Sequence, residues 1–447
     1  MESFKTHIKN TISLAIPISI GQLGHIMMGV IDSIMVGQIG SVPLAAASLV
    51  NGLFFLILVL GIGMSYAVTP LVAISRGAQK SKECGLVLNQ ALIVNIIFSI
   101  LLSAIIIFGS GLIKFLNQPE EVAILAVSYL QILGLSVLPF MLFQTIRQFL
   151  EGISLPRPPM IIAIAANFVN AFFNWILIYG NLGFPAMGLD GAGWATFTTR
   201  ILLGMSLIFF VLKSTSLKEY NPHFKISEID LSLIKKIVRI GLPSGLTYFF
   251  EVGAFAFAAI MIGWLGSVPL AAHQIGINLA SVTYMVILGI SAAGTVRVGN
   301  AVGRADIVET RRAGFSALAL STTFMFIAGL TFILLRRVLP TIYINEIEVI
   351  ELASDLLIVA ALFQMSDGIQ ATGAGILRGL TDVKIPMIII FISYWLLGIP
   401  IAYLLGFYFN YGTIGIWVGL LIGLTAVAIL LLVRFNIKSK HSNLHLH

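Results

Sequence analysis

Charged residues are scarce in this chain. Asp, Glu, Lys and Arg make up 10% of its 447 residues, against roughly 25% in an ordinary soluble domain. A soluble fold could not cover its surface with so few charges, so that class is excluded. Cysteine is rarer still, because Cys84 is the single one. An intrachain disulfide and a cysteine metal cluster are therefore excluded as well.

Recognisable enzyme motifs are also missing from the sequence. It has no GxxxxGK[ST] phosphate-binding loop, so we do not expect ATP to drive it directly. It has no HExxH motif and no Cys/His cluster, and the stretch that ends at Ser65 lacks the rest of a nucleophile elbow. Each absence is a weak signal alone. Together they predict a protein that is not an enzyme and has no cofactor.

Long apolar runs are what the chain has instead. Hydrophobic residues make up 58% of it, and the mean hydropathy is +1.01. Runs of about 20 residues, the length at which a helix crosses the hydrocarbon core, recur throughout, whereas the strands of a membrane barrel would be about 10 residues long. The pattern predicts an all-α polytopic membrane protein. Its twelve predicted spans are about 13–37, 46–73, 86–112, 123–146, 159–180, 190–212, 238–264, 274–296, 313–335, 352–375, 386–408 and 413–434.

The net charge of +7 follows from where the basic residues fall between these spans. If the N-terminus is cytoplasmic, most Lys and Arg residues fall in cytoplasmic segments, and the outer segments hold mainly Lys114, Arg336 and Arg337. Such an excess of basic residues is typical of cytoplasmic loops. We therefore expect a multi-pass protein in the lipid bilayer with both termini in the cytoplasm, and no nucleic-acid partner.

A phrase of seven residues occurs twice. GSVPLAA occupies Gly40–Ala46 and again Gly266–Ala272, and a proline precedes the two copies at the same distance, Pro17 and Pro243. The constant offset predicts two copies of one six-helix unit, which are parallel repeats because the second copy begins on the same side of the membrane. The predicted order is a six-helix lobe at 1–212, a cytoplasmic linker at 213–237 and a six-helix lobe with a cytoplasmic tail at 238–447.

Three carboxylates lie deep in predicted spans, at Asp32, Glu251 and Asp367. A charge at that depth costs at least about 2.5–3 kcal/mol on insertion scales, so each acid needs a partner, a proton or a role. None has an acidic counterpart in the other copy. The aligned residues are, in the same order, Ala258, His25 and Phe140. These breaks in the repeat are where we expect function.

Glu251 and Asp367 both fall in the second copy, on helices that a six-helix bundle can bring together. Two carboxylates in a low dielectric do not easily both stay charged, so they would share a proton or bind a cation such as Na⁺ with hydroxyl, amide and carbonyl oxygens. Either state makes the pair a coupling-ion site. The alternative is that each acid is simply protonated or hydrogen-bonded in the core of the bundle.

The fifth predicted span carries three asparagines on one helical face, Asn167, Asn170 and Asn174. Unsatisfied amides are costly in hydrocarbon, so this face must meet protein or water. We expect it to form a polar cavity with Asp32, although hydrogen bonding between helices would account for it too. His25, deep in the first span, is interpreted as a neutral, hydrogen-bonded core residue, with a proton relay as the alternative.

The stretches around these acids resemble the multidrug and toxic compound extrusion (MATE) family, most closely its NorM-type bacterial branch. The most specific stretch is 243–275, where Glu251 occupies the position of a glutamate on the seventh helix of that branch. Asp367, in FQMSDGIQATGAGILRG, fits an aspartate on the tenth helix. Asp32, in MGVIDSIMVGQIG, fits an aspartate on the first helix. The resemblance covers nearly the whole chain.

The resemblance also implies residues near a substrate site. The positions that match are Asn170 and Asn174 as partners of Asp32, Phe255 as an aromatic that lines the cavity, and Gln274 and Tyr284 as polar and aromatic neighbours. Position 363 departs from the pattern, because it is Phe where some Na⁺-linked relatives carry an aromatic hydroxyl. This departure weakens the assignment of Na⁺ at Glu251 and Asp367 without establishing H⁺.

The function that the resemblance implies is export of small organic cations and drugs in exchange for Na⁺ or H⁺ by alternating access. The expected molecule is a V-shaped monomer of two six-helix lobes in the bacterial inner (plasma) membrane. The alternative is a flippase for lipid-linked precursors, which should have a more cationic cavity than this chain offers with Arg147, Arg200 and Arg297 at or near the ends of spans. A third interpretation, an intramembrane enzyme or receptor, lacks a catalytic constellation.

Overall fold

Helices form every regular element of the computed structural model, which describes residues 4–116, 118–220 and 229–440. They are numbered α1 to α15 in chain order. Their bounds are Phe4–Gly37, Ser41–Ser65, Val68–Gly77, Ser81–Gly109, Glu120–Leu135, Val137–Gly152, Arg157–Leu177, Gly188–Lys213, Leu231–Gly263, Ser267–Gly303, Ile307–Leu335, Ile347–Gly379, Lys384–Phe391, Ile399–Tyr403 and Gly412–Lys438. Two π-helical segments, Ile392–Gly398 and Leu404–Tyr408, follow α13 and α14.

The helices reproduce the predicted spans. Within the described residues, 11 helical segments are long and apolar enough to cross a membrane, and α5 with α6 gives a twelfth when this bent pair is counted as one span. The two helices meet at 41°, and Ser136 at the break donates from both its amide and its hydroxyl to the carbonyl of Leu133. The prediction of an all-α polytopic fold with twelve spans is confirmed with the pair counted in this way.

The repeated phrase makes the same turn in both copies. Gly40 precedes α2 with φ 133°, and Gly266 precedes α10 with φ 123°. Glycine adopts this backbone conformation without the strain that a Cβ would cause. Pro43 and Pro269 fall in the first turns of these helices, where the amide that proline lacks has no partner within the helix.

Tertiary contacts repeat as well. Thr69 donates its hydroxyl to the carbonyl of Gln148 at 3.1 Å, and Thr295 donates to the carbonyl of Gly375 at 2.7 Å. Each bond joins a helix to the carbonyl of a neighbouring one at equivalent positions of the two copies. The repeat in the sequence is therefore a repeat of packing.

Contacts within the chain define two compact units. The N-unit is Ile20–Gly245, and the C-unit combines the described residues up to Ser19 with those from Leu246 onward. The divisions fall inside α1 and α9, shortly after Pro17 and Pro243. The domain boundaries at 1–212, 213–237 and 238–447 stay a prediction. Residues 221–228 of the predicted linker and 441–447 of the predicted tail lie outside the described residues.

The helix α12 lies at the centre of the C-unit, packed against α10, α11 and α15. Close approach to α10 depends on small residues, since a Cβ on Gly375 would come within 2.7 Å of the carbonyl oxygen of Ser291. Ser291 in turn donates its hydroxyl to the carbonyl of Ala371 at 2.7 Å. This packing buries the side chains of α12 that carry the C-unit's polar site.

Candidate functional site

The three deep acids are divided between the two units. Asp32 lies on α1 in the N-unit, whereas Glu251 on α9 and Asp367 on α12 lie in the C-unit. Their side chains are buried, with 7%, 8% and 6% of their surface exposed. Burial of this degree in an apolar helix bundle makes the partners of each carboxylate decisive.

Both oxygens of the Asp32 carboxylate have donors. Asn174 on α7 donates to Oδ1 at 2.5 Å, and Thr196 on α8 donates to Oδ2 at 3.1 Å. The Asn174 amide also donates to the Asn170 side-chain oxygen at 3.2 Å. The structure therefore brings Asp32, Asn170 and Asn174 together. Thr196 was not predicted, because a single threonine in an apolar span gives no signal of its own.

Asn167 stands apart from this cluster. Its amide donates to the carbonyl of Ala163 in the same helix at 2.9 Å. Three amide atoms of the asparagine face have no hydrogen-bond partner among the described residues, namely Asn167 Oδ1, Asn170 Nδ2 and Asn174 Oδ1. These unpaired atoms leave the N-unit cluster with hydrogen-bonding capacity that the protein itself does not use.

A basic residue lies near Asp32 without forming an ion pair with it. Arg200 on α8 is near enough to Asp32 for their charges to interact. Its guanidinium donates to the Ser136 hydroxyl at 2.6 Å and lies over the rings of Phe54 and Phe140, 5.2 and 4.8 Å from their centroids. The N-unit site thus combines one acid, one base and neutral amides.

The acid pair of the C-unit has no such basic neighbour among the described residues. Glu251 and Asp367 are near enough for each to feel the charge of the other. Within the described part of the chain, neither makes an ion pair with a basic side chain. Tyr284 on α10 donates its hydroxyl to Glu251 Oε1 at 3.2 Å. Two adjacent acids in this setting favour the loss of one charge, through a proton or a bound cation.

Two further residues join this pair, and the sequence did not identify them. Gln370 on α12 is near enough to Glu251 for its amide to interact with the carboxylate, and it accepts a hydrogen bond from the Tyr394 hydroxyl at 2.7 Å. Gln370 follows Asp367 by three residues, so it lies on the same helical face. That spacing was the available signal for Gln370, whereas Tyr394 lies in the π-helical segment after α13 and had none.

Aromatic rings continue the site beyond the acids. Phe255, four residues after Glu251, has its ring centroid 5.9 Å from that of Tyr394 and 5.7 Å from that of Phe363. Phe363 is buried and packs in turn against Trp417, with centroids 6.0 Å apart. Gln274 does not join these rings, because it is exposed and bonds to Asn278 at 3.1 Å.

The aligned positions of the N-unit also meet each other. His25, opposite Glu251 in the repeat, packs edge-on against Phe140, opposite Asp367, with centroids 6.0 Å apart. The expected hydrogen bond of His25 is not present at Nε2, which has no partner among the described residues. The repeat thus brings equivalent positions of the two copies near each other, and both positions are acids only in the C-unit.

The donor set around Glu251 and Asp367 fits a small monovalent cation or a proton. It offers two carboxylates and two tyrosine hydroxyls, all hard ligands. No group of three or more His, Cys, Asp or Glu side chains suited to a metal ion occurs in the part of the chain that the structure describes.

Comparison with known proteins agrees with this architecture. The family model MatE matches residues 17–176 and 243–404. The chain belongs to the MatE family. One matched segment falls in each copy of the repeat, so Asp32 lies in the first segment, and Glu251 and Asp367 lie in the second. The resemblance drawn from the sequence is thereby confirmed.

Relatives within the MatE family match the chain over nearly its whole length. The "Probable multidrug resistance protein NorM" of Mesorhizobium japonicum is 36% identical over 439 residues, which is 97% of this chain and 94% of that protein. The "Multidrug resistance protein MdtK" of Yersinia pseudotuberculosis is 32% identical, covering 98% of this chain and 96% of its own. The crystal structure of the eukaryotic MATE transporter AtDTX14 superposes with a TM-score of 0.89 at 20% identity, over 99% of both chains. That last likeness shows the shared fold.

Proposed function

We propose that this MatE protein is a secondary active transporter that exports organic cations and other drugs in exchange for Na⁺ or H⁺. The observation that carries the proposal is the buried acid pair Glu251 and Asp367, which no basic side chain balances among the described residues. A proton or a cation neutralises the pair, so its charge changes when the coupling ion is loaded or released. The drug-resistance names of the relatives support the same class of cargo.

The aromatic rings beside the pair suit flat organic cations. Phe255 is half-buried and packs against the buried rings of Phe363 and, through it, Trp417, and cations bind favourably over an accessible aromatic face such as that of Phe255. Exchange then requires that cargo and coupling ion favour opposite states of the protein, or that they compete. Alternating access between the two sides of the membrane follows from that opposition, in a protein of the bacterial inner membrane with both termini in the cytoplasm.

Asp32 is a second candidate for ion binding in the N-unit. Both oxygens of its carboxylate accept hydrogen bonds, from Asn174 and Thr196, and Arg200 lies nearby, so it needs an external cation less than the C-unit pair does. We therefore place the primary coupling site at Glu251 and Asp367 and assign Asn167, Asn170 and the other N-unit amides to a polar cavity. Tyr284 is assigned to the ion site through its bond to Glu251 and to the neighbouring cargo site. Gln274 is assigned to the cargo site by the resemblance alone, because it is exposed and lies apart from the aromatic rings.

The flippase alternative is less well supported. A pyrophosphate cargo needs basic side chains with free hydrogen-bonding capacity. Arg147 forms a buried ion pair with Glu151 at 2.7 Å, Arg200 bonds to Ser136, and Arg297 bonds to the Thr11 hydroxyl at 2.7 Å. These arginines are engaged within their own units, and among them only Arg147 keeps a buried donor, Nη2, without a partner among the described residues. So few free basic donors favour cationic rather than anionic cargo.

The test of the coupling role is efflux of ethidium from bacterial cells that lack their native pumps. We expect Glu251→Gln and Asp367→Asn each to reduce efflux at least tenfold at equal protein levels, because each removes one ionisable member of the pair. Asp355→Asn is the matched control, since Asp355 lies on the same helix as Asp367 but is exposed and pairs with Arg336 at the surface. Unimpaired efflux by the two site variants would overturn the coupling role.

The identity of the coupling ion is tested with purified protein in proteoliposomes. An imposed Na⁺ gradient and, separately, an imposed pH gradient are applied, and ethidium transport is followed by fluorescence. Transport driven by one gradient alone identifies the ion. Transport driven by neither would contradict ion-coupled exchange.

A further inference from the structure

The two acids of the C-unit differ in the hydrogen bonds that they accept. Glu251 accepts one bond from the Tyr284 hydroxyl at 3.2 Å and interacts with the Gln370 amide. Asp367 is equally buried, yet it accepts no hydrogen bond from any residue that the structure describes. The two carboxyls of the pair are therefore not equivalent.

The orientation of the Gln370 amide is fixed by Tyr394. The Tyr394 hydroxyl donates to Gln370 Oε1 at 2.7 Å, and both side chains are buried. Because that oxygen is already occupied, the opposite end of the amide, its NH₂ group, is the end directed to Glu251. Gln370 has no unpaired buried atom, whereas Gln364, one turn before Asp367, leaves its Oε1 unpaired.

Tyr394 reaches Gln370 from a wide helical turn. It lies in the π-helical segment Ile392–Gly398, and such turns inside helices are frequent at functional sites. The next residue, Trp395, donates its ring nitrogen to the carbonyl of Phe250 at 3.0 Å, and the Tyr394 ring packs against Phe255. The segment is thus attached to α9 on both sides of Glu251.

Donors that point at a carboxylate stabilise its ionised form, and a carboxyl without donors gains most from a proton or a cation. We propose that Gln370, oriented by the Tyr394 hydroxyl, is a positioning residue that keeps Glu251 as the fixed carboxylate of the pair, so that Asp367 is the group that takes up and releases the coupling cation. This division of roles rests on the proposed function of the pair.

A carbodiimide that partitions into membranes provides the test, because such reagents modify protonated carboxyls. Purified protein is treated with dicyclohexylcarbodiimide, and peptide mass spectrometry locates the adduct. We expect at least about tenfold more adduct on Asp367 than on Glu251, which corresponds to one charge-assisted hydrogen bond. In Gln370→Met and in Tyr394→Phe, we expect the ratio to fall, because Glu251 then keeps only the Tyr284 hydroxyl as a donor.

Gln148→Met is the matched control in the N-unit. Gln148 is also a buried amide that accepts a bond from a hydroxyl, that of Thr69 at 2.5 Å, so its loss costs similar packing without touching the acid pair. The adduct ratio of this variant should match the wild type. Tyr394→Phe removes a single oxygen and keeps the ring, so it guards against misfolding of Gln370→Met.

Three results would overturn the proposal. They are preferential or equal labelling of Glu251 in the wild type, no adduct on either acid, and an unchanged ratio in both Gln370→Met and Tyr394→Phe. Efflux by Glu251→Gln and Asp367→Asn judges the coupling role separately. If Glu251→Gln and Asp367→Asn lose efflux while Gln370→Met and Tyr394→Phe keep the wild-type adduct ratio, the coupling role of the acid pair stands and only the role of Gln370 is contradicted.

Discussion

Neutral side chains hold the Asp32 carboxylate in the N-unit. Asn174 and Thr196 each serve one of its oxygens, and hydrogen bonds to a charged group are worth about 1.5–3 kcal/mol. Asn167 is two helical turns away on the same helix, but it bonds only to the backbone of its own helix. The three asparagines of one face therefore differ in what each contributes.

This difference predicts unequal effects of one substitution at two sites. Asn174→Ala should lower the free energy of unfolding by about 2 kcal/mol, because it leaves a buried carboxylate oxygen without a donor. Asn167→Ala should cost less than about 1 kcal/mol, since alanine suits a helix and the lost bond is local. Thermal unfolding of the purified proteins in detergent measures both, and equal losses would contradict the assignment of Asn174.

The residues that could be predicted from the sequence were those with a cost of insertion. Asp32, Glu251 and Asp367 stood out because a carboxylate in a membrane span demands an explanation. Gln370 and Tyr394 did not, because a neutral amide and a tyrosine are tolerated in helix bundles for packing alone. Their arrangement depends on a π-helical turn, which the apolar run 386–408 does not reveal.

At the scale of helices, hydropathy predicted where spans lie but not where helices end. The predicted span 274–296 is the middle of α10, which runs from Ser267 to Gly303. Hydropathy locates the part of a helix that crosses the hydrocarbon core, but the helix itself can extend beyond that core at both ends. The bend between α5 and α6 falls three residues before Pro139, and Pro400 lies in the short helix between the two π-helical segments. A proline inside an apolar span predicts a kink, but it does not predict the angle or the π-helical turns, which depend on packing.

Two glycines at equivalent positions of the repeat give a prediction about helix packing. A Cβ on Gly152 would lie 2.9 Å from Val72 Cβ, and a Cβ on Gly379 would lie 2.9 Å from Val298 Cβ. Each would also crowd the backbone oxygen of a threonine, so the helices would have to separate. Gly152→Ala and Gly379→Ala should each cost about 1–3 kcal/mol of stability.

Thermal unfolding again measures the loss, with Gly52→Ala as the control. Gly52 lies in α2 with no atom within 4 Å of its would-be Cβ, so alanine there should be neutral or stabilising. A clear loss at only one of Gly152 and Gly379 would contradict the equivalence of packing in the two copies.

At the scale of the whole molecule, the compact units cut across the repeat. The first residues of α1, up to Ser19, belong with the C-unit, and α9 belongs to the N-unit up to Gly245. The apolar pattern and the duplicated phrase predicted two copies. They do not reveal that the first part of α1 and the first part of α9 each belong to a different compact unit from the rest of the helix. The division near Pro17 and Pro243 follows from three-dimensional packing, and it places Asp32 and Glu251 each beyond a proline on a helix shared by both units.

The proposed exchange implies reciprocal coupling between cargo and ion. If the ion lowers ethidium affinity by some factor, ethidium must lower ion affinity by the same factor, because both values describe one free-energy cycle. We expect a factor of about 5–150, the usual range for coupled sites.

Ethidium fluorescence titrations with and without Na⁺, and at two pH values, give the effect of the ion on ethidium affinity. Calorimetric ion titration with and without ethidium gives the effect of ethidium on ion affinity. In Asp367→Asn the factor should fall to one while ethidium still binds, since the cargo contacts remain and the loading group is gone. Ethidium affinity that responds to neither ion in the wild type would contradict ion-coupled exchange, and an undiminished factor in Asp367→Asn would move the loading site to another residue.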